Sequence, residues 1–141
     1  MVKFRKRKIQ SIFLTKECDY AIRIIRALAD MELKPGDMIC AREHIPRSFT
    51  YKILKKLERA GIVGSRRGAA GGYILLKSPD ALTLLDIASA VDDNLYVNAC
   101  MQPGFVCPHN SDGSINVHKE LDRVQGLLVK TLSEKNISDI I

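Results

Sequence analysis

The stretch from residue 45 to residue 77, IPRSFTYKILKKLERAGIVGSRRGAAGGYILLK, constrains the fold more than any other part of the chain. Residues 68–72 are glycine and alanine only, and such a segment forms a turn. Apolar, β-branched runs start on either side of it, at Ile62 and at Tyr73, which predicts a two-stranded hairpin. The preceding residues 48–60 repeat apolar side chains at a period of 3.6, which predicts a helix. A helix followed by such a hairpin indicates a winged helix-turn-helix.

The predicted helix has recognisable ends and an apolar face. Ser48 is the expected N-cap, because its hydroxyl can accept a hydrogen bond from a free amide of the first turn. Gly61 can end the helix in the left-handed conformation. Phe49, Ile53 and Leu57 are expected to face the core.

Positive charge is concentrated in this same stretch. Basic side chains lie on or beside the helix and at the hairpin tip: Arg47, Lys52, Lys55, Lys56, Arg59, Arg66 and Arg67. Residues 1–78 hold 18 lysines and arginines against 7 acidic residues, whereas residues 79–141 hold 4 against 9. This polarity suits a DNA-reading head attached to a module that does not touch DNA. A solvated basic surface is the alternative, and it is weakened because the charge falls on the segment with a DNA-binding pattern.

The sequence of this stretch resembles the core of the Rrf-two family of bacterial transcription regulators, and the wing "SRRGAAGGY" is the most specific part of the resemblance. Two flanking segments agree with it. The segment "FLTKECDYAIRIIRALA" at residues 13–29 resembles the opening helix of the family, and "ALTLLDIASAV" at residues 81–91 resembles its segment after the wing. The resemblance implies a mainly α fold with a small β-hairpin, in which a winged helix-turn-helix domain precedes a long C-terminal dimerisation helix.

The start of the recognition helix is the first expected contact with DNA. In such a fold, the N-terminal residues of this helix reach base edges in the major groove. By position, the residues expected there are Ser48, Thr50, Tyr51 and Lys52. Packing or a phosphate bond is the alternative for Tyr51. Lys55 and Lys56 are better placed for phosphates, which set affinity and its salt dependence.

The tip of the wing is the second expected contact with DNA. Glycine there permits positive φ and a close approach to the DNA backbone. By resemblance, Arg67, just before Gly68, is the residue that enters a narrow minor groove and reads its width. Arg66 stands where many relatives carry an uncharged residue, so it is expected to add a phosphate contact.

Helices are also predicted on both sides of the recognition helix. Thr15 can cap a helix that runs to about Leu33 and is broken at Pro35, with a short second helix over residues 37–44. Thr83 can cap another helix that follows the hairpin. The expected organisation is a basic N-terminal extension at 1–12, the winged helix-turn-helix domain at 13–91, a cysteine-containing loop at 92–116, the dimerisation helix at 117–135 and a tail at 136–141. A disordered arm that touches phosphates and a mis-assigned start are both open interpretations of the extension.

The last predicted helix carries an apolar seam. Its apolar residues are spaced by four and three positions, which suits helix–helix packing: Val117, Leu121, Val124, Leu128 and Leu132. The resemblance implies that this helix forms a homodimer. Two heads related by twofold symmetry would read a palindromic DNA operator. Packing within one chain is the alternative.

The chain has 4 cysteines, and in a chain without a signal peptide these are more often ligands, redox thiols or core residues than disulfides. Cys100 and Cys107 lie in the predicted loop, followed by His109. In the relatives that bind an iron–sulfur cluster, this loop holds three cysteines. Here Ser114 and Ile115 stand where the third would fall, so this chain needs other ligands.

The resemblance offers several ligands to complete such a site. Asp19 matches a position from which some relatives supply an acidic ligand to the loop of the partner subunit, and His109 and His118 lie near the cysteines. A 2Fe–2S cluster with mixed ligands is therefore the leading interpretation. The alternatives are two thiols without metal, a reversible disulfide between Cys100 and Cys107, and a zinc site.

Taken together, these features predict a dimeric, sequence-specific transcription regulator, expected to be a repressor tuned by an iron–sulfur or thiol sensor. A regulator of the same fold without a cofactor, controlled by a metabolite or a partner protein, is the alternative. No nucleophile–base motif, phosphate loop or paired-carboxylate arrangement predicts an enzyme. No apolar run approaches the ~20 residues of a membrane span, and a cytoplasmic location is expected.

Overall fold

The expected mainly α fold with a small hairpin is confirmed. The computed structural model describes residues 14–106, 108 and 116–141, without the side chain of Asn116, so the basic extension lies outside the described residues. The elements are α1 (Lys16–Ala27), α2 (Gly36–Glu43), α3 (Arg47–Arg59), β1 (Val63–Arg66), β2 (Gly72–Leu75), α4 (Leu84–Val91) and α5 (Asn116–Ser133). Short 3₁₀ turns cover Pro79–Ala81, Ala99–Met101 and Ile137–Asp139.

Helix α1 is at the centre of the fold, because it packs against α2, α3 and α4. Its apolar face contributes Ile24 and Ile25, which are fully buried, and α3 contributes Ile53 and Leu57. Each such side chain stabilises the fold by about 1.5–3 kcal/mol through burial. The expectation that Phe49 belongs to this core is wrong. It is 38% exposed, and its ring meets Tyr20 edge-on with centroids 5.6 Å apart.

Helix α1 ends six residues earlier than the sequence predicted, at Ala27 rather than near Leu33. A turn follows, in which Met31 takes a positive φ of 62°. The chain then becomes extended and pairs with the wing. The N–H of Lys34 donates to the carbonyl of Tyr73 at 2.9 Å, and the N–H of Tyr73 donates back at 2.8 Å. Lys34 thus joins the edge of the two-stranded hairpin through an isolated β-bridge.

The wing has the predicted antiparallel strands and glycine turn. Its register pairs Val63 with Leu75 and Arg66 with Gly72. Gly68 adopts a φ of 105°, which suits the tight turn. A side chain at Gly72 would collide with the carbonyl of Lys34, so the bridge at Lys34 explains why this position is glycine.

Helix α3 begins at Arg47, one residue before the predicted start. Pro46 is its N-cap and provides no side-chain bond, so the expected capping role of Ser48 is wrong. Ser48 lies instead in the first turn, with its side chain exposed. At the other end, Gly61 has a φ of 71°, which confirms the left-handed exit from the helix.

Hydrogen bonds define the starts of α4 and α1 and hold the segment that follows α5. Thr83 and Asp86 form a capping box at the start of α4, as the threonine predicted. Thr15 occupies the N-cap position of α1, but its hydroxyl lies 3.6 Å from the sulfur of Cys18 rather than on a backbone amide. After α5, Ile137 is fully buried and its N–H donates to the carbonyl of Leu82 at 2.7 Å. The segment after α5 is therefore anchored against the residues that precede α4.

Among the described residues, none of the helices has the length and apolar character needed to cross a lipid bilayer.

Candidate nucleic-acid interface

The exposed face of α3 presents polar and basic side chains beside the wing. Arg47 and Lys52 have 69% and 55% of their side chains exposed, and Ser48 and Lys55 are also exposed. The ring of Tyr51 meets the ring of Tyr73 edge-on with centroids 6.3 Å apart. The first half of α3 and strand β2 of the wing are therefore in contact.

A carboxylate from α2 organises the start of α3. The Oδ1 atom of Asp37 accepts hydrogen bonds from the guanidinium of Arg47 and, at 3.0 Å, from the hydroxyl of Tyr51. The guanidinium carbon of Arg47 also lies 5.0 Å from the centre of the Tyr51 ring, a cation–π distance. The bonds from Arg47 and then Tyr51 hold the pKa of Asp37 below its usual value.

A second carboxylate, from α1, holds two lysines of α3. The two oxygens of Glu17 accept bonds from Lys52 and, at 2.6 Å, from Lys56. Lys56 also donates to the carbonyl of Val91, at the end of α4, at 2.8 Å. The bonds from Lys52 and Lys56 lower the pKa of Glu17. Glu17 is only 21% exposed, so these bonds are shielded from solvent better than most surface ion pairs.

The structure corrects one of the DNA contacts expected on α3. Thr50 is fully buried and its hydroxyl donates to the carbonyl of Pro46 at 3.2 Å, so it does not reach a base edge. Lys56 is 32% exposed and donates to Glu17 and to the carbonyl of Val91. Its neighbour Lys55 is exposed and has no ion pair within the described part of the chain.

The tip of the wing is positively charged and open to solvent. Arg66, Arg67 and Gly68 are all exposed, and the two arginines form no ion pair with any residue that the structure describes. Beneath them, the hydroxyl of Ser65 donates to the carboxylate of Glu58 on α3. This bond ties the wing to the helix without using either arginine.

The candidate sensor residues are only partly described. Cys100 lies half-buried in a 3₁₀ turn, where its N–H donates to the side chain of Asn98 at 3.2 Å. Asp19 is exposed and pairs with Arg23 at 3.0 Å, and His118 is half-buried on α5. Cys107 and His109 lie outside the described residues. Within the described ranges, no three histidine, cysteine or acidic side chains come together as a metal site.

Helix α5 leaves apolar surface uncovered. Between residues 117 and 133, none of the described side chains is fully buried. Val117 is 64% exposed and Leu127 is 48% exposed. The other four residues of the predicted seam are half-buried: Leu121, Val124, Leu128 and Leu132. Gln125 attaches the helix to its own domain by bonds to the backbone of Leu95 and Val97.

The sequence interpretation missed both carboxylates that organise this surface. Asp37 is 10 residues from Arg47, and Glu17 is 39 residues from Lys56. Neither pair has a local spacing that predicts an ion pair, since helical pairs are three or four residues apart. The burial of Thr50 did have a signal, because it lies three and four residues before Ile53 and Leu54 on the same helical face.

Comparison with protein families gives a match over most of the chain. A family model described as Rrf2, iron-dependent transcriptional regulator, matches residues 14–141. An HTH-type transcriptional regulator of Synechocystis sp. is 36% identical over 88 residues, 58% of this chain and 58% of that protein. The transcriptional regulator IscR of Escherichia coli is 30% identical over 94 residues, 64% of this chain and 58% of IscR. The chain thus spans less than two thirds of the length of both relatives.

Solved structures show the same fold. CymR, the global cysteine regulator of B. subtilis, has a TM-score of 0.70 at 22% identity, with 92% of this chain and 96% of CymR covered. IscR of T. potens has a TM-score of 0.65 at 19% identity, with 89% of this chain and 83% of that chain covered. At these identities the likeness shows the fold alone.

Proposed function

This chain belongs to the Rrf2 family of transcriptional regulators, and we propose that it acts as a homodimer that binds a palindromic DNA operator and represses transcription. The family and its structural neighbours are transcriptional regulators rather than enzymes. The start of α3 enters the major groove, and the wing tip enters the adjacent minor groove. We therefore propose that the regulator works in the cytoplasm, where its DNA target lies.

One observation carries this proposal: the exposed basic surface lies on the two elements that a winged helix-turn-helix presents to DNA. On α3, Lys52 and Lys55 are exposed, and at the wing tip Arg66 and Arg67 are exposed without ion pairs among the described residues. Cations in such positions bind phosphates and release counterions, which makes the affinity depend on salt. Ser48 lies within the same face and can donate to or accept from a base edge.

The incompletely buried apolar side chains of α5 support the dimer. Val117 and Leu127 are exposed, and the other four residues of the seam are only half-buried. A second copy can cover this seam by helix–helix packing at the spacing of a coiled coil. A twofold dimer then presents two copies of α3 to successive major grooves, about 34–36 Å apart.

The DNA-binding proposal is tested by selecting duplexes from a randomised double-stranded pool with the full-length protein. We expect an enriched palindromic sequence, bound by a species with the mass of a dimer in light scattering. Binding that is equally strong to every duplex, or to single-stranded RNA, would overturn sequence-specific regulation. Binding by a monomer would overturn the dimer and the need for a palindrome.

The sensor is the second part of the proposal. We propose that Cys100 and Cys107 supply the thiolates of a redox-sensitive site, with an iron–sulfur cluster as the first interpretation. Asp19, His109 and His118 are the proposed additional ligands. The description of the family as iron-dependent supports iron, and so does the preference of iron–sulfur clusters for thiolates. A regulator without a cofactor, controlled by a metabolite or a partner protein, remains the alternative.

The sensor is tested by visible absorption of protein purified without oxygen, with iron and acid-labile sulfide measured on the same sample. Absorption between roughly 300 and 500 nm together with about two irons per subunit would identify a 2Fe–2S cluster. Single substitutions at Asp19, His109 and His118 would then identify the other ligands by loss of iron. A colourless, iron-free protein that still binds the selected operator would overturn the cluster and favour the cofactor-free regulator.

A further inference from the structure

We infer that Arg47, the first residue of α3, reads a guanine in the major groove, and that Asp37 and Tyr51 are positioning residues that hold its guanidinium for this contact. The inference rests on the proposed function, because it names a specificity-determining residue of the same DNA-binding surface. Sequence position alone did not select Arg47, since it precedes the residues expected at the base edges.

Asp37 fixes one edge of the guanidinium. Its Oδ1 atom accepts a hydrogen bond from Nη1 of Arg47, and the two residues also form an ion pair. A guanidinium has five N–H donors, and this bond uses one of them. The side chain of Arg47 is 69% exposed, so the remaining donors face the space in front of the helix.

Tyr51 fixes the position of the guanidinium from a second direction. The guanidinium carbon lies 5.0 Å from the centre of the Tyr51 ring. The ring itself is held by its hydroxyl bond to Asp37 at 3.0 Å and by its edge-on contact with Tyr73. Gly36 leaves room for the ring, since a side chain there would come within 2.7 Å of the Tyr51 hydroxyl. Tyr51 therefore serves as a platform, and its hydroxyl is not available to a base.

The chemistry of a held guanidinium matches guanine. The N7 and O6 atoms of guanine are two acceptors in one plane, and arginine is the side chain that pairs with both at once. A side chain already fixed in position loses less conformational entropy when it binds. A phosphate contact would not require such fixation, because a mobile cation serves it equally well. The structure therefore favours base reading over phosphate binding for Arg47.

The test uses the full-length protein and a pool of duplexes with about 30 randomised base pairs, enough for two half-sites one helical turn or more apart. The wild type, Arg47→Ala, Asp37→Asn and Glu17→Gln are each taken through the same selection. Glu17→Gln is the matched control, because it removes a carboxylate that bonds to a basic side chain of α3, as Asp37→Asn does, but away from Arg47. Thermal unfolding of each variant confirms that it is folded.

We expect the wild type to select a palindrome with a guanine at one position in each half-site. Arg47→Ala should lose that guanine and keep the other positions. Asp37→Asn should lower the preference for guanine over the other bases by about tenfold, within the range for a bidentate contact. Its affinity for random DNA should stay the same or rise, because a negative charge has been removed. Glu17→Gln should keep the guanine preference of the wild type.

Three results would overturn the inference. An unchanged palindrome with Arg47→Ala would mean that Arg47 does not read a base, while the proposed regulator would stand. Equal weakening by Arg47→Ala on every duplex, with a smaller salt dependence, would make Arg47 a phosphate contact. An intact guanine preference in Asp37→Asn would remove the positioning role of Asp37. If the wild type selects no palindrome at all, the proposed function fails, and the inference fails with it.

Discussion

The basic side chains of the recognition helix and those of the wing tip differ in their surroundings. On α3, Arg47 is bonded to Asp37, and Lys52 and Lys56 are bonded to Glu17. At the wing tip, Arg66 and Arg67 are exposed and meet no carboxylate in the described part of the structure. The helix therefore carries partly neutralised, positioned cations, whereas the wing tip carries exposed and unneutralised ones.

This difference suggests a division of labour between the two elements. Unpaired cations attract any phosphate backbone and supply affinity without sequence. Cations that are held by carboxylates attract random DNA less, and their geometry is fixed before DNA arrives. We therefore expect the wing to attract any duplex through Arg66 and to read the width of the minor groove through Arg67, while the helix discriminates among base edges.

The largest expected effect is at the wing. Arg67→Ala should weaken binding to the selected operator by about tenfold to a hundredfold, since a lost specific arginine contact costs about 1–3 kcal/mol. Binding to random duplexes should fall much less, because the contact reads the width of the minor groove. Fluorescence anisotropy with both kinds of duplex measures the two affinities.

Arg66→Ala is the control for this prediction. It removes the same charge from the same tip, and it should weaken binding to all duplexes alike and reduce the salt slope by about one. If Arg67→Ala behaves in the same way as Arg66→Ala, the wing tip touches only phosphates, and Arg67 does not enter the minor groove.

The second-largest expected effect tests the ion pairs that Glu17 forms with the lysines of α3. Glu17→Gln removes the charge that neutralises Lys52 and Lys56, so both ammonium groups become available to phosphates. Affinity for every duplex should rise by about three- to tenfold, and the salt slope should steepen by about one to two. Titrations at several salt concentrations give both quantities.

Glu58→Gln provides a control of equal charge. Glu58 lies on α3, and it accepts a bond from the hydroxyl of Ser65 rather than from a lysine. It should raise affinity less than Glu17→Gln, because it releases no cation. A fall in affinity with Glu17→Gln would show that the carboxylate positions the lysines for DNA instead of reducing their attraction to phosphate. The proposed difference between the cations of the helix and those of the wing would then be smaller.

The fold was predictable because its signals are local. The glycine run at 68–72 and the apolar period of residues 48–60 each depend on neighbours within a few positions. The β-bridge at Lys34 was not predictable in this way. Lys34 pairs with Tyr73, far along the chain, and nothing in the composition around Lys34 indicates pairing with a strand.

The candidate site was predictable in residue type but not in arrangement. The exposed positions of Ser48, Lys52 and Lys55 follow from the helical period. Whether Arg47 and Lys56 are ion-paired does not follow from the helical period, because it depends on which carboxylate another helix brings near each side chain. Charge counted along the sequence gave the sign of the surface. How much of this positive charge is neutralised depends on the packing of α1 and α2 against α3, because that packing brings carboxylates next to the basic side chains.

Lys55 and Lys56 test the same contrast between unpaired and paired cations, with a smaller expected change in DNA affinity. Lys55→Ala should weaken binding by about threefold on all duplexes and lower the salt slope by about one, because this exposed lysine contacts phosphate. Lys56→Ala should change DNA binding less and lower the urea midpoint more, because it removes the bonds to Glu17 and Val91. Equal salt slopes for the two variants would mean that Lys56 leaves Glu17 when DNA binds.

The smallest expected effect is the contribution of Glu17 to stability as the pH changes. Because bonds from Lys52 and Lys56 lower the pKa of folded Glu17, the unfolded chain takes up a proton more readily than the folded one. The resulting stabilisation is fully present above the ordinary pKa of 4.5 and is lost as the pH falls through the lower folded value. The wild type should therefore have a higher urea midpoint than Glu17→Gln at neutral pH, and the two midpoints should converge under acid conditions.

Glu134→Gln is the control for this prediction. Glu134 is exposed at the end of α5 and has no ion pair with a described residue, so the urea midpoint of this variant should follow that of the wild type. A gap between wild type and Glu17→Gln that stays constant with pH would show that the glutamate stabilises the domain by packing rather than by its charge.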